Sequence, residues 1–203
     1  MRDKRRRICT NLAVLAAVSL IGGCVSQETK RDAINEVNKA FEAEYEAALA
    51  KNGMHVVKAS PDEAFDAVNA AMVKLGLVVH EQSRSLGFIS AEAPSPLPLD
   101  RSEFDRAAAA DLPKTKELLR RHLGAFAELF HFDTNGLDTV MTATIIGVRG
   151  GSEISFTMRM REVAPAKSDF PRRDYPPPTA VRIGLDKIWG ALDRELAAPP
   201  KRN

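Results

Sequence analysis

Residues 54–91 read MHVVKASPDEAFDAVNAAMVKLGLVVHEQSRSLGFISA, and the fold is decided in this stretch. Ser60-Pro61-Asp62-Glu63 is a helix start: the serine can cap, proline suits the first helical position, and Glu63 completes a capping box. Phe65, Val68, Met72 and Leu75 then fall on one face, and Gly76 ends the helix. Residues 54–59 before it read as a short strand. Residues 77–80 after it read as a second, 83–87 as a turn and 88–91 as a third strand. The order is β-α-β-β.

Working outward, Pro94, Pro96 and Pro98 close this unit, and a helical insertion follows over 102–131. It reads as two helices. One has a capped start at Ser102-Glu103-Phe104-Asp105 and stops at Leu112-Pro113; the other runs over 113–131 with Leu119, Leu123, Phe126 and Phe130 as its stripe. Its expected role is to cover a sheet edge or to act as a movable lid. Asn135-Gly136 turns the chain into a hairpin, with strands over 139–148 and 153–163 and Gly150-Gly151 as the two-residue turn. In the second strand Ile154, Phe156, Met158 and Met160 alternate with Ser155, Thr157, Arg159 and Arg161, which gives one covered and one wet face. A Pro-rich loop over 164–178 leads to a helix over 179–197 carrying Val181, Leu185, Ile188, Leu192 and Leu196. The sum is an α+β fold with two layers, an antiparallel sheet with helices packed on one face, in the order β-α-β-β, helical insertion, β-β, α.

Upstream, residues 30–52 have helical character and a narrow stripe of Ile34, Val37, Phe41, Tyr45 and Ala48. A tether holding the domain off a membrane and a helix docked on the domain both fit this pattern, with docking favoured by the stripe. Residues 2–7 are basic and 8–21 mostly apolar, too short to span a bilayer, which takes about 20 apolar residues. That is the pattern of a secretory signal. Leu20-Ile21-Gly22-Gly23-Cys24 resembles the lipobox of bacterial lipoproteins. The resemblance implies cleavage after residue 23 and a diacylglyceryl group on Cys24, with Cys9 lost in the signal. Val25-Ser26, with no Asp after the cysteine, implies the outer membrane facing the periplasm. The division is thus 1–23 signal, 24–53 lipidated N-terminus and polar helix, 54–197 domain, and 198–203 C-terminal tail.

The net charge of +2 is set by that leader. Residues 1–23 hold five basic side chains and one acidic; subtracting them from 29 and 27 leaves 24 and 26. A slightly acidic remainder gives no basis for nucleic-acid binding. The hydrophobic content of 44% rules out wholesale disorder.

The search for chemistry finds little. His55, His80, His122 and His131 show no metal-ligand spacing, and processing leaves no thiolate, so neither a metal nor a cofactor is expected. No nucleophile elbow, P-loop or dinucleotide fingerprint occurs, and the reading is not an enzyme. Arg159 and Arg161 on the wet face, with Arg172 and Arg173 in the Pro-rich loop, form the candidate partner surface, suited to an acidic partner, lipid headgroup or phosphate.

The run SPDEAFDAVNAAMVKLGLVV…LGFISA resembles a unit of small envelope lipoproteins: a strand, a Phe-containing helix, a Leu-Gly stop, and a hairpin ending in a Gly-Phe-Ile-Ser strand. It is similar to the BamC-like accessory lipoproteins of the outer-membrane barrel-assembly machinery. The final helix, VRIGLDKIWGALDREL, resembles the closing helix of such domains, whereas the insertion departs from the unit. The resemblance implies a membrane-anchored interaction or accessory protein in envelope assembly or maintenance, with an envelope protein as partner. The alternatives are a binding module for a small apolar or lipidic ligand and an envelope hydrolase.

Overall fold

The computed structural model describes residues 25–164 and 175–198. The leader, Cys24, Arg172, Arg173 and residues 199–203 lie outside them.

Helix α1 (Gln27–Asn52) starts at Ser26, whose side chain accepts the Thr29 N–H at 3.0 Å. Its stripe of Ile34, Val37, Phe41, Tyr45 and Ala48 is buried, so it docks. Strand β1 (Met54–Val57) follows, then α2 (Pro61–Lys74). The capping box forms as the sequence dictates: Glu63 N–H donates to Ser60 Oγ, and Ser60 N–H donates to Glu63 Oε2 at 2.9 Å. Strands β2 (Val78–Ser83) and β3 (Phe88–Pro94) make the hairpin, each longer than expected. At its turn Gly87 takes φ +60, and its carbonyl accepts Ile145 N–H at 2.7 Å. A Cβ there would lie 2.0 Å from the Ile145 carbonyl oxygen, so a side chain is excluded.

Helix α3 (Arg101–Leu123) corrects the two-helix reading of the insertion, because it runs unbroken through Pro113. A proline inside a helix costs about 3 kcal/mol. Against that, one buried face carries Phe104, Ala107, Thr115, Leu119 and Leu123 past the proline. Asp111 beside it accepts bonds from the Thr179 backbone N–H at 2.8 Å and hydroxyl at 2.7 Å. Packing and these bonds outweigh the local break. The cap is also two residues earlier than the sequence suggested. Asp100 and Glu103 form the box, and Glu103 then accepts Lys187 Nζ at 2.6 Å, which holds its carboxyl below the ordinary 4.5.

After Leu123 the chain tightens into a 3₁₀ helix, Gly124–Leu129, where an α-helix to residue 131 was expected. At three residues per turn the register rotates. Ala127 and Phe130 go inward, while Phe126 and Leu129 share the outer face.

Strands β4 (Leu137–Val148) and β5 (Gly151–Glu162) form the second hairpin. Val148 pairs with Gly151, so the turn is Arg149-Gly150, one residue before the expected pair. Helix α4 (Pro178–Ala197) closes the fold. Its Trp189 donates to the Asn52 carbonyl at 2.6 Å, using an acceptor that the end of α1 leaves open.

The five strands are ordered β1-β5-β4-β3-β2, with every neighbouring pair antiparallel. Ile89, Met141, Ile154, Phe156 and Met158 face inward to Phe65, Val68 and Met72 of α2 and Val181, Leu185 and Ile188 of α4. Each such burial contributes about 1.5–3 kcal/mol. A second core lies between α1 and α3, where Ala33, Ile34, Val37 and Phe41 meet Leu119, Leu123, Ala127 and Phe130. The insertion therefore packs on α1 and α4 and is the partner of the first part of α1's stripe, Ile34, Val37 and Phe41, while Tyr45 and Ala48 join the main core. This replaces the expectation that it covers a sheet edge or forms a lid.

Candidate functional site

Antiparallel partners point to the same side of a sheet, so the register fixes the composition of the face opposite the helices. Row by row it holds Val56, Glu153 and Ile146; Met54, Ser155, Thr144, Phe88 and Ser83; Thr157, Thr142, Ser90 and Glu81; Arg159, Val140, Glu92 and Val78; then Arg161, Asp138 and Pro94. The register of β2 shifts between Val79 and Glu81, which makes His80 the extra residue of a bulge.

The face is graded along the strands. Toward the β4–β5 turn it is apolar and exposed, with Met54, Val56, Ile146 and Val148 open to solvent. The middle carries hydroxyls, and those of Thr142 and Thr157 share a hydrogen bond of 2.5 Å. The far end is charged. Both candidate arginines of the described chain lie there, but neither is a free cation. Arg161 bonds Glu92 and lies 3.8 Å from Asp138. His80 Nε2 is also 3.8 Å from Glu92. Arg159 places its guanidinium 5.4 Å from the Tyr45 ring centroid and 5.6 Å from that of Tyr175, within cation–π reach. Burial and the nearby Glu42 carboxylate push the Tyr175 phenol above its ordinary value, so it stays neutral beside that cation.

The expected basic patch is thus, in its described half, a cluster of mixed sign. Alternation in β5 places Arg159 and Arg161 on the open face correctly. Their partners come from β3, β4 and α1, and no local pattern in the sequence points to Glu92, Asp138 or Tyr45. The arrangement can hold a polar or peptide-like partner by hydrogen bonds at one end and by apolar contact at the other.

The histidines stay apart. His55 lies against Trp189 with ring centroids 4.2 Å apart, and His80 is near Glu92. His122 shares a 2.6 Å hydrogen bond with Glu36, and His131 lies 3.4 Å from the Leu129 carbonyl. Among the described residues no three His, Cys, Asp or Glu side chains are grouped to hold a metal, and no helix is long and apolar enough to cross a membrane. Comparison with protein-family models, with curated proteins and with solved structures gave no match.

Proposed function

We propose that this chain is a lipoprotein of the bacterial envelope, anchored through Cys24 at the periplasmic side of the outer membrane, where it is an interaction or accessory protein in envelope assembly or maintenance. The observation that carries the reading is Leu20-Ile21-Gly22-Gly23-Cys24 at the end of a basic and then apolar leader. The domain supports it in two ways. Its first helix begins three residues after the cysteine, so an acyl anchor would sit directly against a folded unit. Its sheet leaves one face open, with apolar side chains at one end and charged ones at the other, which suits a protein partner. The likeness of residues 54–91 to BamC-like accessory lipoproteins directs that partner toward the barrel-assembly machinery.

Metabolic labelling with a palmitate analogue tests the anchor. Label is expected on the wild type and absent from Cys24→Ala; label retained by the variant would refute the reading. A photo-crosslinker at Thr144, on the open face, should capture an envelope protein that the same probe at Lys74 on α2 does not.

A further inference from the structure

The candidate lies at the end of the molecule where the described chain begins. Val25 packs on the second core, so the point of entry is fixed. The preceding residue, Cys24, is one Cα step of about 3.8 Å away. Helices α1 and α3 run antiparallel. Glu44 pairs with Lys114, while eight residues earlier Glu36 pairs with Arg121 and His122. Val25 packs on the same core as Ala127 and Phe130, so the start of α1 lies on the side of the molecule that carries the 3₁₀ helix Gly124–Leu129. That turn carries Phe126, 48% exposed, and Leu129, 68% exposed, on one face. Its charge is close to balanced, because Lys116 and Arg120 share Glu128. The exposed surface at these two side chains is apolar.

We infer that Phe126 and Leu129 form a foot that rests in the bilayer interface beside the N-terminal anchor and fixes how the domain stands on the membrane. The occupant of this patch is a lipid surface. The residues before Val25 form an apolar leader ending in Gly-Gly-Cys, and whether anchored by acyl chains or by the leader itself, they bring lipid to this end of the molecule. An aromatic and a leucine on one face are side chains that enter an interface. Two residues are too few to hold a free protein at a bilayer. They are enough to orient one already tethered on the same side of the molecule. The inference rests on the membrane-anchored reading, although not on the lipobox itself.

The test uses the full chain reconstituted into vesicles of phosphatidylglycerol and dibrominated phosphatidylcholine, against unbrominated vesicles. Phe126→Trp is compared with Arg149→Trp, at the β4–β5 turn beyond the opposite end of α1. Trp189, present in both and in the wild type, gives the baseline. The added emission at 126 is expected to be blue-shifted and quenched several-fold more by brominated chains than that at 149. Equal quenching at the two sites would overturn the foot. Blue-shifted but unquenched emission at 126 would also overturn it, since a protein surface would then be covering the patch. Intact mass of the same preparation separates the two proposals. An acylated chain whose added emission at 126 is unquenched leaves the anchor and removes the foot. A chain that keeps its leader and is quenched at 126 removes the lipobox and leaves the foot. A chain found off the vesicles removes both.

Discussion

Gly150 and Gly151 are neighbours in one hairpin, and replacing each by alanine is expected to cost different amounts for different reasons. Gly150 sits at φ +87 with nothing within 4 Å of an added Cβ. Alanine there meets only the left-handed backbone penalty, about 1–2 kcal/mol, partly offset by the smaller entropy of the unfolded chain. A net loss near 1 kcal/mol follows. Gly151 has no such backbone constraint, but its Cβ would lie 2.0 Å from the Val57 carbonyl oxygen, 3.0 Å from that carbonyl carbon and 3.3 Å from Lys58 Cα. These are backbone atoms, so β1 must retreat by more than an ångström. Retreat strains the Val57–Ser152 pairing and draws Ala59 away from the fully buried Ser152, whose hydroxyl donates to the Ala59 carbonyl at 2.9 Å. A lost ladder bond contributes about 1 kcal/mol and a stranded buried hydroxyl about 1–3 kcal/mol, giving about 2–4 kcal/mol in all. Urea unfolding followed by the single tryptophan reads this directly, because Trp189 contacts His55 of β1 and Phe156 of β5. Equal midpoint shifts for the two variants would refute the close approach of β1 to β5 on which the reasoning depends.

Thr139 is buried, and its hydroxyl has no hydrogen-bond partner among the described residues. Thr139→Val should therefore raise stability by about 1 kcal/mol in the same urea assay, and a lowered midpoint would show that the hydroxyl is satisfied. The carboxyl of Glu36 is held below its ordinary 4.5 chiefly by the hydrogen bond with His122 and then by Arg121. A depressed carboxylate stabilises fully above that ordinary value and loses its contribution as the pH falls from there through the lower value of the folded state. Wild type should exceed Glu36→Gln by less than about 1 kcal/mol above pH 4.5, the scale of a partly exposed pair, and the gap should close below it. A gap that widened toward acid would overturn the assignment.

What could be read from the sequence was whatever rests on neighbours in the chain. The Ser60–Glu63 box and the Phe65, Val68 and Met72 face of α2 are local, as is the alternation of Ile154, Phe156 and Met158; each is where the sequence put it. The continuity of α3 was hidden because Pro113 is a local break overruled by contacts with Thr179, 66 positions away from it in sequence number. Phe126 was misread because a stripe at spacings of four, three and four assumes one helical period, and the chain changes period after Leu123. The open face was legible as a face. Its chemistry was not, since Arg161 is neutralised by Glu92, 69 residues away.

The polar helix α1 shows what decides between two structures when one sequence pattern permits both. Taken alone, its narrow stripe suits a stalk of about 39 Å as well as a docked helix. A second stripe in the same chain, at Leu119 and Leu123, has no covering surface within its own segment. Left apart, each stripe would keep several apolar side chains in water at about 25 cal/mol per Å² of exposed area. Together they bury Ile34, Val37, Phe41, Leu119 and Leu123 in one core. The pairing of stripes fixes α1 against the domain, and with it the distance between the folded unit and whatever holds residue 24. A domain on a stalk could sample partners far from its anchor. With α1 docked, a domain anchored at residue 24 would be confined beside that anchor, with the start of α1 as its nearest part. The open sheet face, by contrast, begins at β1, which the chain reaches only after the full length of α1. If the anchor is at Cys24, that geometry directs the apolar end of the face away from the lipid and toward partners in the surrounding space.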